Sequence, residues 1–162
     1  EWTAMSDHCL IDVLKLTHVS APALISMGKT CLYNANALTN LELPALTSMG
    51  DTCIVYADTL VRFEAPKLAL MGEKCFYQVD ALVGVELPVL TSMGEGCFKH
   101  GSALASFEAP ALTTIGDDCL ENARDLGRKV AARALKGSTE KQSYLAQVSA
   151  IQPSARPVSC HP

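Results

Sequence analysis

Between Leu38 and Pro44 the chain reads LTNLELP, in which Leu41 and Leu43 alternate with Asn40 and Glu42. That spacing fits a short strand with its apolar residues inward and its polar residues toward water. The alternation stops at Pro44, which has no N–H to offer a neighbouring strand. Leu46 and Met49 return the chain to the core, and Gly50 follows at a turn for which positive φ is predicted. Cys53 and Ile54 then dip inward before a polar corner at Asp58. Neither a helical period nor an extended one covers the whole stretch.

The same irregular pattern returns every 22 residues. Pro22, Pro44, Pro66, Pro88 and Pro110 keep that interval, and Gly28, Gly50, Gly72, Gly94 and Gly116 each follow six residues later. Self-similarity at a fixed period is the signature of a stacked array. With Leu16, Leu38, Leu60, Leu82 and Leu104 as starts, five units end at Asp125 and read roughly L-x-x-[LVF]-E-[AL]-P-x-L-x-x-M-G-x-x-C-[LF]. One unit cannot bury its own apolar columns, so the units must stack as coils of a solenoid. The predicted fold is a short parallel β-sheet with one strand per repeat, linked by irregular turns. Packing columns support the stacking. Phe63 and Phe107 are followed two residues on by Ala65 and Ala109, whereas Leu41 and Val85 are followed by Leu43 and Leu87. Large with small alternates with medium with medium, which keeps the core volume constant and suggests a duplication unit of 44 residues.

These units resemble the BspA-like leucine-rich repeats, which run approximately L-x-x-I-x-[IL]-P-x-x-L-x-x-I-G-x-x-A-F-x-x-C. The resemblance covers about residues 3 to 125, and its most specific part is P-x-L-x-x-[MI]-G-x-x-[small]-F. Here cysteine stands where the family usually has alanine, alanine, valine or glycine stands near the family's own cysteine, and Leu46 and its equivalents replace the common asparagine. The family is mostly associated with surface-exposed binding and adhesion proteins of bacteria and some protists. The resemblance therefore implies a leucine-rich repeat solenoid that binds and does no chemistry.

The two ends differ from the middle. Met5, Asp7 and Cys9 align with Met27, Lys29 and Cys31, so the array opens on half a unit, read as a degenerate cap or as part of a longer array. Residues 1–125 form the predicted array and 126–162 a separate segment. In the latter, Leu126, Val130, Ala134 and Leu135 are spaced to form one apolar face of a helix expected to cap the core. QPSARPVSCHP beyond it is expected to be irregular.

Charge sharpens this division. Residues 38–125 carry 13 acids and 5 bases, whereas residues 126–162 carry 6 bases and 1 acid, within a net charge of −4. Glu42, Glu64, Glu86 and Glu108 form one predicted outward column, and Asp51, Glu73, Glu95 and Asp117 a second on another edge. Carboxylates about 5 Å apart repel by about 0.8 kcal/mol in bulk water and about 3 kcal/mol at an effective dielectric of 20. The readings open at this point are a solvated face, a basic partner segment and calcium. A basic segment is preferred over calcium, which needs oxygens converging on one point where a flat row offers few.

Cys9, Cys31, Cys53, Cys75, Cys97 and Cys119 form a further column. Buried thiols are favoured over disulfides, because neighbouring side chains of stacked strands run parallel, and over zinc, because no C-x-x-C pair is present. Reduced thiols point to the cytosol, whereas the resemblance points to the cell surface or secretion, so localisation stays open. Cys160 is the expected reactive thiol. The chain lacks G-x-G-x-x-G, G-K-[ST], H-E-x-x-H and a serine-hydrolase elbow, so no enzyme activity and no cofactor are expected. No apolar run approaches a membrane span. Arg128, Lys129, Arg133, Lys136 and Lys141 have only Tyr144 interleaved, so nucleic acid is not expected as a partner.

The expected function is a binding module whose strand face, lined by His18, Asn40, Glu42, Arg62, Glu64, Glu86, Ser106 and Glu108, contacts a protein or glycan, including a basic segment. A solvated histidine is the expected reading for His8, His18, His100 and His161, of which only His18 lies on the predicted strand face. The alternatives are a structural spacer or assembly subunit that oligomerises through its open repeat edge, and a calcium- or cation-binding acidic solenoid.

Overall fold

The computed structural model describes residues 2–123, so the expected helix after 126, the irregular segment beyond it and Cys160 lie outside the described residues. Eleven short strands follow one another: β1 (Ala4–Met5), β2 (His18–Ser20), β3 (Ser26–Met27), β4 (Asn40–Glu42), β5 (Ser48–Met49), β6 (Arg62–Glu64), β7 (Leu70–Met71), β8 (Gly84–Glu86), β9 (Ser92–Met93), β10 (Ser106–Glu108) and β11 (Thr114–Ile115). All pairing is parallel and joins residues 22 apart, such as Leu41 with Phe63 and Met49 with Met71. Each coil thus adds one strand to the predicted face. It also adds a two-residue strand after the proline, where the sequence predicted only a return to the core. The short strands form a continuous six-stranded ladder, β1-β3-β5-β7-β9-β11.

The longer strands form two groups, β2-β4-β6 and β8-β10. At the other steps of this face the backbone bonds repeat: Val61 N–H donates to the Thr39 carbonyl and Ala105 N–H to Val83, while Leu43 N–H donates to Glu64 and Leu87 N–H to Glu108. The equivalent bonds from Val83 to Val61 and from Ala65 to Glu86 are missing, so the face opens along a seam between β6 and β8.

Apolar columns fill the interior. Leu24, Leu46, Leu68, Leu90 and Leu112 stack behind the prolines, and Met27, Met49, Met71 and Met93 behind the short strands, all buried. Burying one such side chain contributes about 2 kcal/mol, and stacking makes each contribution depend on the next coil. The large-small alternation has a partner that the sequence did not reveal. Phe63 lies 4.6 Å from Phe76 between ring centres, Phe76 stacks on Phe98 at 4.7 Å, and Phe98 meets Phe107 at 5.3 Å. The rings of the strand face and those after the cysteines share one cluster.

Two turn features differ from expectation. Gly28, Gly50, Gly72, Gly94 and Gly116 do not take positive φ. They are required because successive coils nearly touch there: a Cβ on Gly50 would lie 2.8 Å from the carbonyl carbon of Gly28, and one on Gly94 2.7 Å from the Glu73 nitrogen. Left-handed backbone occurs further along each coil, at alternate residues such as Thr52, Ile54 and Tyr56 with φ of 60°, 57° and 56°. Such a conformation costs a non-glycine residue about 1 kcal/mol or more. Bonds between coils offset it. Thr52 N–H donates forward to Glu73, Ile54 N–H back to Cys31, and Tyr56 N–H forward to Tyr77, with the same alternation in the coils around it. This corner is a third hydrogen-bonded wall.

Candidate binding surface

The strand face carries two outward rows because each β-strand points its middle residue inward. Val19, Leu41, Phe63, Val85 and Phe107 occupy the inward row. His18, Asn40, Arg62, Gly84 and Ser106 form the first outward row, and Ser20, Glu42, Glu64, Glu86 and Glu108 the second. All eight predicted face residues fall in these rows, with Ser20 and Gly84 completing them. Asn40 and Glu42 are half-buried and the other six are exposed. The first row is distinctive: among the 22 positions of the unit it alone holds five different residues in five coils.

Only one carboxylate of the second row has an ion pair among the described residues. Arg62 donates from Nε to Glu64 Oε1 at 2.9 Å and also bonds it through Nη2, and the hydrogen bond to Glu64 raises the Arg62 pKa. The seam beside this pair widens into a notch of about 510 Å³ over Gly84. Val61 and Val83, both more than half exposed, form an apolar rim near it.

The second acidic column works differently, since it helps to join coils. Asp7 Oδ1 accepts from the Lys29 backbone N–H at 2.7 Å, and Asp51 Oδ1 from that of Glu73 at 3.1 Å. Asp51 also pairs with Lys29 Nζ at 2.8 Å. The Lys29 hydrogen bond, then the Glu73 N–H, holds the Asp51 carboxyl below its usual range.

Cys31, Cys53, Cys75, Cys97 and Cys119 are buried free thiols, and Cys9 is half-buried. Each of the five buried thiols donates to a backbone carbonyl of the preceding coil, as Cys53 does to Gly28 at 3.0 Å and Cys75 to Gly50 at 3.1 Å. Hydrogen bonding to Cys75, then burial, pushes the Cys53 thiol up; bonds to Cys119 and Cys75, then burial, do the same for Cys97. Bonds to Cys53 and Cys97 draw the Cys75 thiol down, and burial opposes them. These cysteines tie the coils together where the glycines let them approach.

The corner carries a stripe that sequence reasoning missed. Tyr33, Tyr56, Tyr77 and His100 meet edge to face at 5.5, 6.3 and 5.3 Å between ring centres. His100 is half-buried, and its Nδ1 also lies 3.0 Å from Asn122 Nδ2, so the expected solvated histidine is packed on one side and open on the other. The available signal was an aromatic shifting by one position between adjacent units, which a search at a strict period passes over. Among the described residues, no three His, Cys, Asp or Glu side chains are grouped to hold a metal ion, and no helix is long and apolar enough to cross a membrane.

A stack of such coils, with parallel strands on one side and leucine columns inside, is a leucine-rich repeat solenoid. The chain belongs to the family described as the BspA type leucine rich repeat region, which matches residues 3–127 in six copies. Such repeat families generally consist of non-catalytic binding proteins. Two solved structures are similar at the level of fold. A leucine-rich repeat protein of Bacteroides ovatus has a TM-score of 0.55 and 16% identity over 76% of this chain and 39% of its own. The leucine-rich repeat protein of T. pallidum has a TM-score of 0.58 and 16% identity over 94% of this chain and 78% of its own. This chain therefore spans well under half of the first. No curated protein sequence matches.

Proposed function

We propose that the chain is a non-enzymatic binding module that recognises a protein or glycan ligand through its strand face. The observation that carries this reading is the first outward row, His18, Asn40, Arg62, Gly84 and Ser106. In an array built by copying, positions that pack inward keep their chemistry, while an exposed row is free to diverge. The glycines, cysteines and leucines are held by contacts between coils. The five strand residues are not, and they stand in one row on paired strands, His18, Asn40 and Arg62 on one group and Gly84 and Ser106 on the other. The glutamates beside them favour a ligand with positive charge.

A levelled variant tests the reading. His18, Asn40, Arg62 and Gly84 are each replaced by Ser, so that all five coils carry the residue already present at Ser106. Peptide and glycan libraries are selected on the native chain, and the winning ligands are measured on both proteins by biolayer interferometry. Losses of about tenfold or more are expected, the scale of hot-spot removal. Retained affinity on the levelled variant, with the same ligands lost on Tyr56→Ala, would move the binding surface to the aromatic corner.

A further inference from the structure

The seam between β6 and β8 has a feature that the solenoid repeats elsewhere do not share. In the third coil Arg62 lies over the face and bonds Glu64, two residues along the same strand. In the fourth coil the equivalent of Arg62 is Gly84 and that of Glu64 is Glu86. Glu86 therefore has no cation from its own strand, and the volume that such a side chain would fill is the notch, lined by Arg62, Glu64, Gly84, Glu86 and Ser106. Among the described residues, Glu86 makes no ion pair.

Backbone groups point the same way. Among the described residues, the Val61 and Glu86 carbonyls accept no backbone hydrogen bond, whereas their equivalents Thr39 and Glu64 accept from Val61 and Leu43. An opening bordered by a carboxylate and two unpaired carbonyls is rich in acceptors. A guanidinium is the complementary group, since it carries five donors in a planar fork and no acceptor. Two carboxylates, Glu64 and Glu86, line the opening against one guanidinium, and Glu108 follows on the next strand, so the local field favours a second cation. The Val61 rim suits the methylene stem of the incoming side chain.

We infer that the notch over Gly84 is a pocket for an arginine side chain of a protein partner, which sets its guanidinium on Glu86 as Arg62 sets its own on Glu64. This deepens the binding-module reading and rests on it. The pocket selects arginine over lysine, because only the planar fork reaches the carboxylate and the carbonyls together. Gly84 is also suited to the role in the free protein. A Cβ there would come too close only to the Ser106 Oγ, at 2.5 Å, and would lie an ordinary 3.9 Å from the Ser106 carbonyl oxygen, so no backbone contact demands glycine.

The test uses the full chain, labelled with 15N, titrated at low salt with N-acetylarginine methylamide, its lysine counterpart and its uncharged citrulline counterpart. Saturable shifts of the Gly84, Glu86 and Ala65 amides are expected with the arginine probe, weaker ones with lysine and none with citrulline. Glu86→Gln should weaken the arginine probe about tenfold, in the range for a lost charge-assisted contact. Gly84→Arg, which fills the notch from within, should abolish the shifts, and Glu73→Gln, the same change of charge on another edge, should leave them intact. Equal shifts along all the strand-face glutamates, equal response to citrulline, or indifference to Glu86→Gln would overturn the pocket. Replacing Arg128, Lys129, Arg133 and Lys136 by Gln distinguishes the occupant: unchanged affinity supports a partner, and a several-fold gain would show that the chain's own basic segment fills the notch, overturning that assignment. Library ligands that fail on the levelled variant but ignore Gly84→Arg would leave the binding module standing and remove the arginine pocket alone.

Discussion

The strand face and the glycine-cysteine side of the same coil are built from one repeat and have opposite sequence behaviour. On the strand face the first row changes in every coil. On the other side glycine and cysteine recur in each full unit, because the Gly50 carbonyl receives the Cys75 thiol while the Gly72 Cα sits against the Gly50 and Asp51 backbone. Invariance within a repeat thus marks where coils touch, and divergence marks where they do not. The comparison also separates two glycines that look alike as letters. Gly72 is fixed by backbone contact; Gly84 opens a notch.

The largest expected effect exploits that pair. A Cβ on Gly72 would lie 2.7 Å from both the Asp51 nitrogen and the Gly50 carbonyl carbon, so Gly72→Ala must push two coils apart. It should cost about 3 kcal/mol, at the upper end of overpacking penalties, in urea unfolding followed by circular dichroism. Gly84→Ala should change stability by about 0.5 kcal/mol or less, in either direction. Equal effects would erase the distinction.

Cys75→Ala comes next. The sequence alone, with alanine usual at this position in the family, suggests a cost of about 1 kcal/mol or less. The structure raises this to about 1–2 kcal/mol, because the Gly50 carbonyl loses its thiol donor. Cys75→Ser, which keeps a donor, should recover part of the loss in the same unfolding assay. Thiol titration of the native protein adds a check: Cys31, Cys53, Cys75, Cys97 and Cys119 should react only after denaturant is added, since all are buried.

A smaller effect has the opposite sign. Lys74 is exposed at φ 53°, and the next coil places Gly96 at the equivalent position with φ 66°. Lys74→Gly should therefore stabilise the array by about 0.5 kcal/mol, the relief of left-handed strain less the added freedom of the unfolded chain. A loss in melting temperature would mean that the corner is not under strain.

The smallest effect is electrostatic. The Asp51 carboxyl is held below its usual pKa by Lys29 and the Glu73 N–H, so its contribution to stability is complete above the unfolded value and is lost as pH falls through the lower folded one. Asp51→Asn should flatten the acid limb of stability against pH slightly, and high salt should reduce the difference, because the pair is largely exposed. An unchanged acid limb would remove Asp51 from the links between coils.

Much of the fold was legible because the period was. Pro44, Leu46, Met49 and Cys53 fix the coil by spacing, and Asn40 and Glu42 declare an outward face by alternation. The corner was not legible. Ile54 and Phe76 are residues that local propensity would never place at positive φ, and only the bonds between coils make that conformation affordable. The glycine column was assigned to the right residues for the wrong reason, since φ is a property of one residue and close approach is a property of two coils. The seam escaped too. Gly84 reads as one more variable residue until the missing bonds beside it are seen.

The central claim is that folding constrains the corner and leaves the strand row free for recognition. A stability scan of every substitution in one coil, from Leu60 to Ala81, read by protease resistance of the displayed full chain, tests it most directly. Arg62 should accept nearly all residues within about 0.5 kcal/mol, whereas Gly72 and the buried Leu68 should accept almost none without losing 2 kcal/mol or more, a cost at about the scale of core truncation. If Arg62 proves as intolerant as Gly72, the diversity of the strand row reflects packing needs that differ from coil to coil, and the row is not a recognition surface.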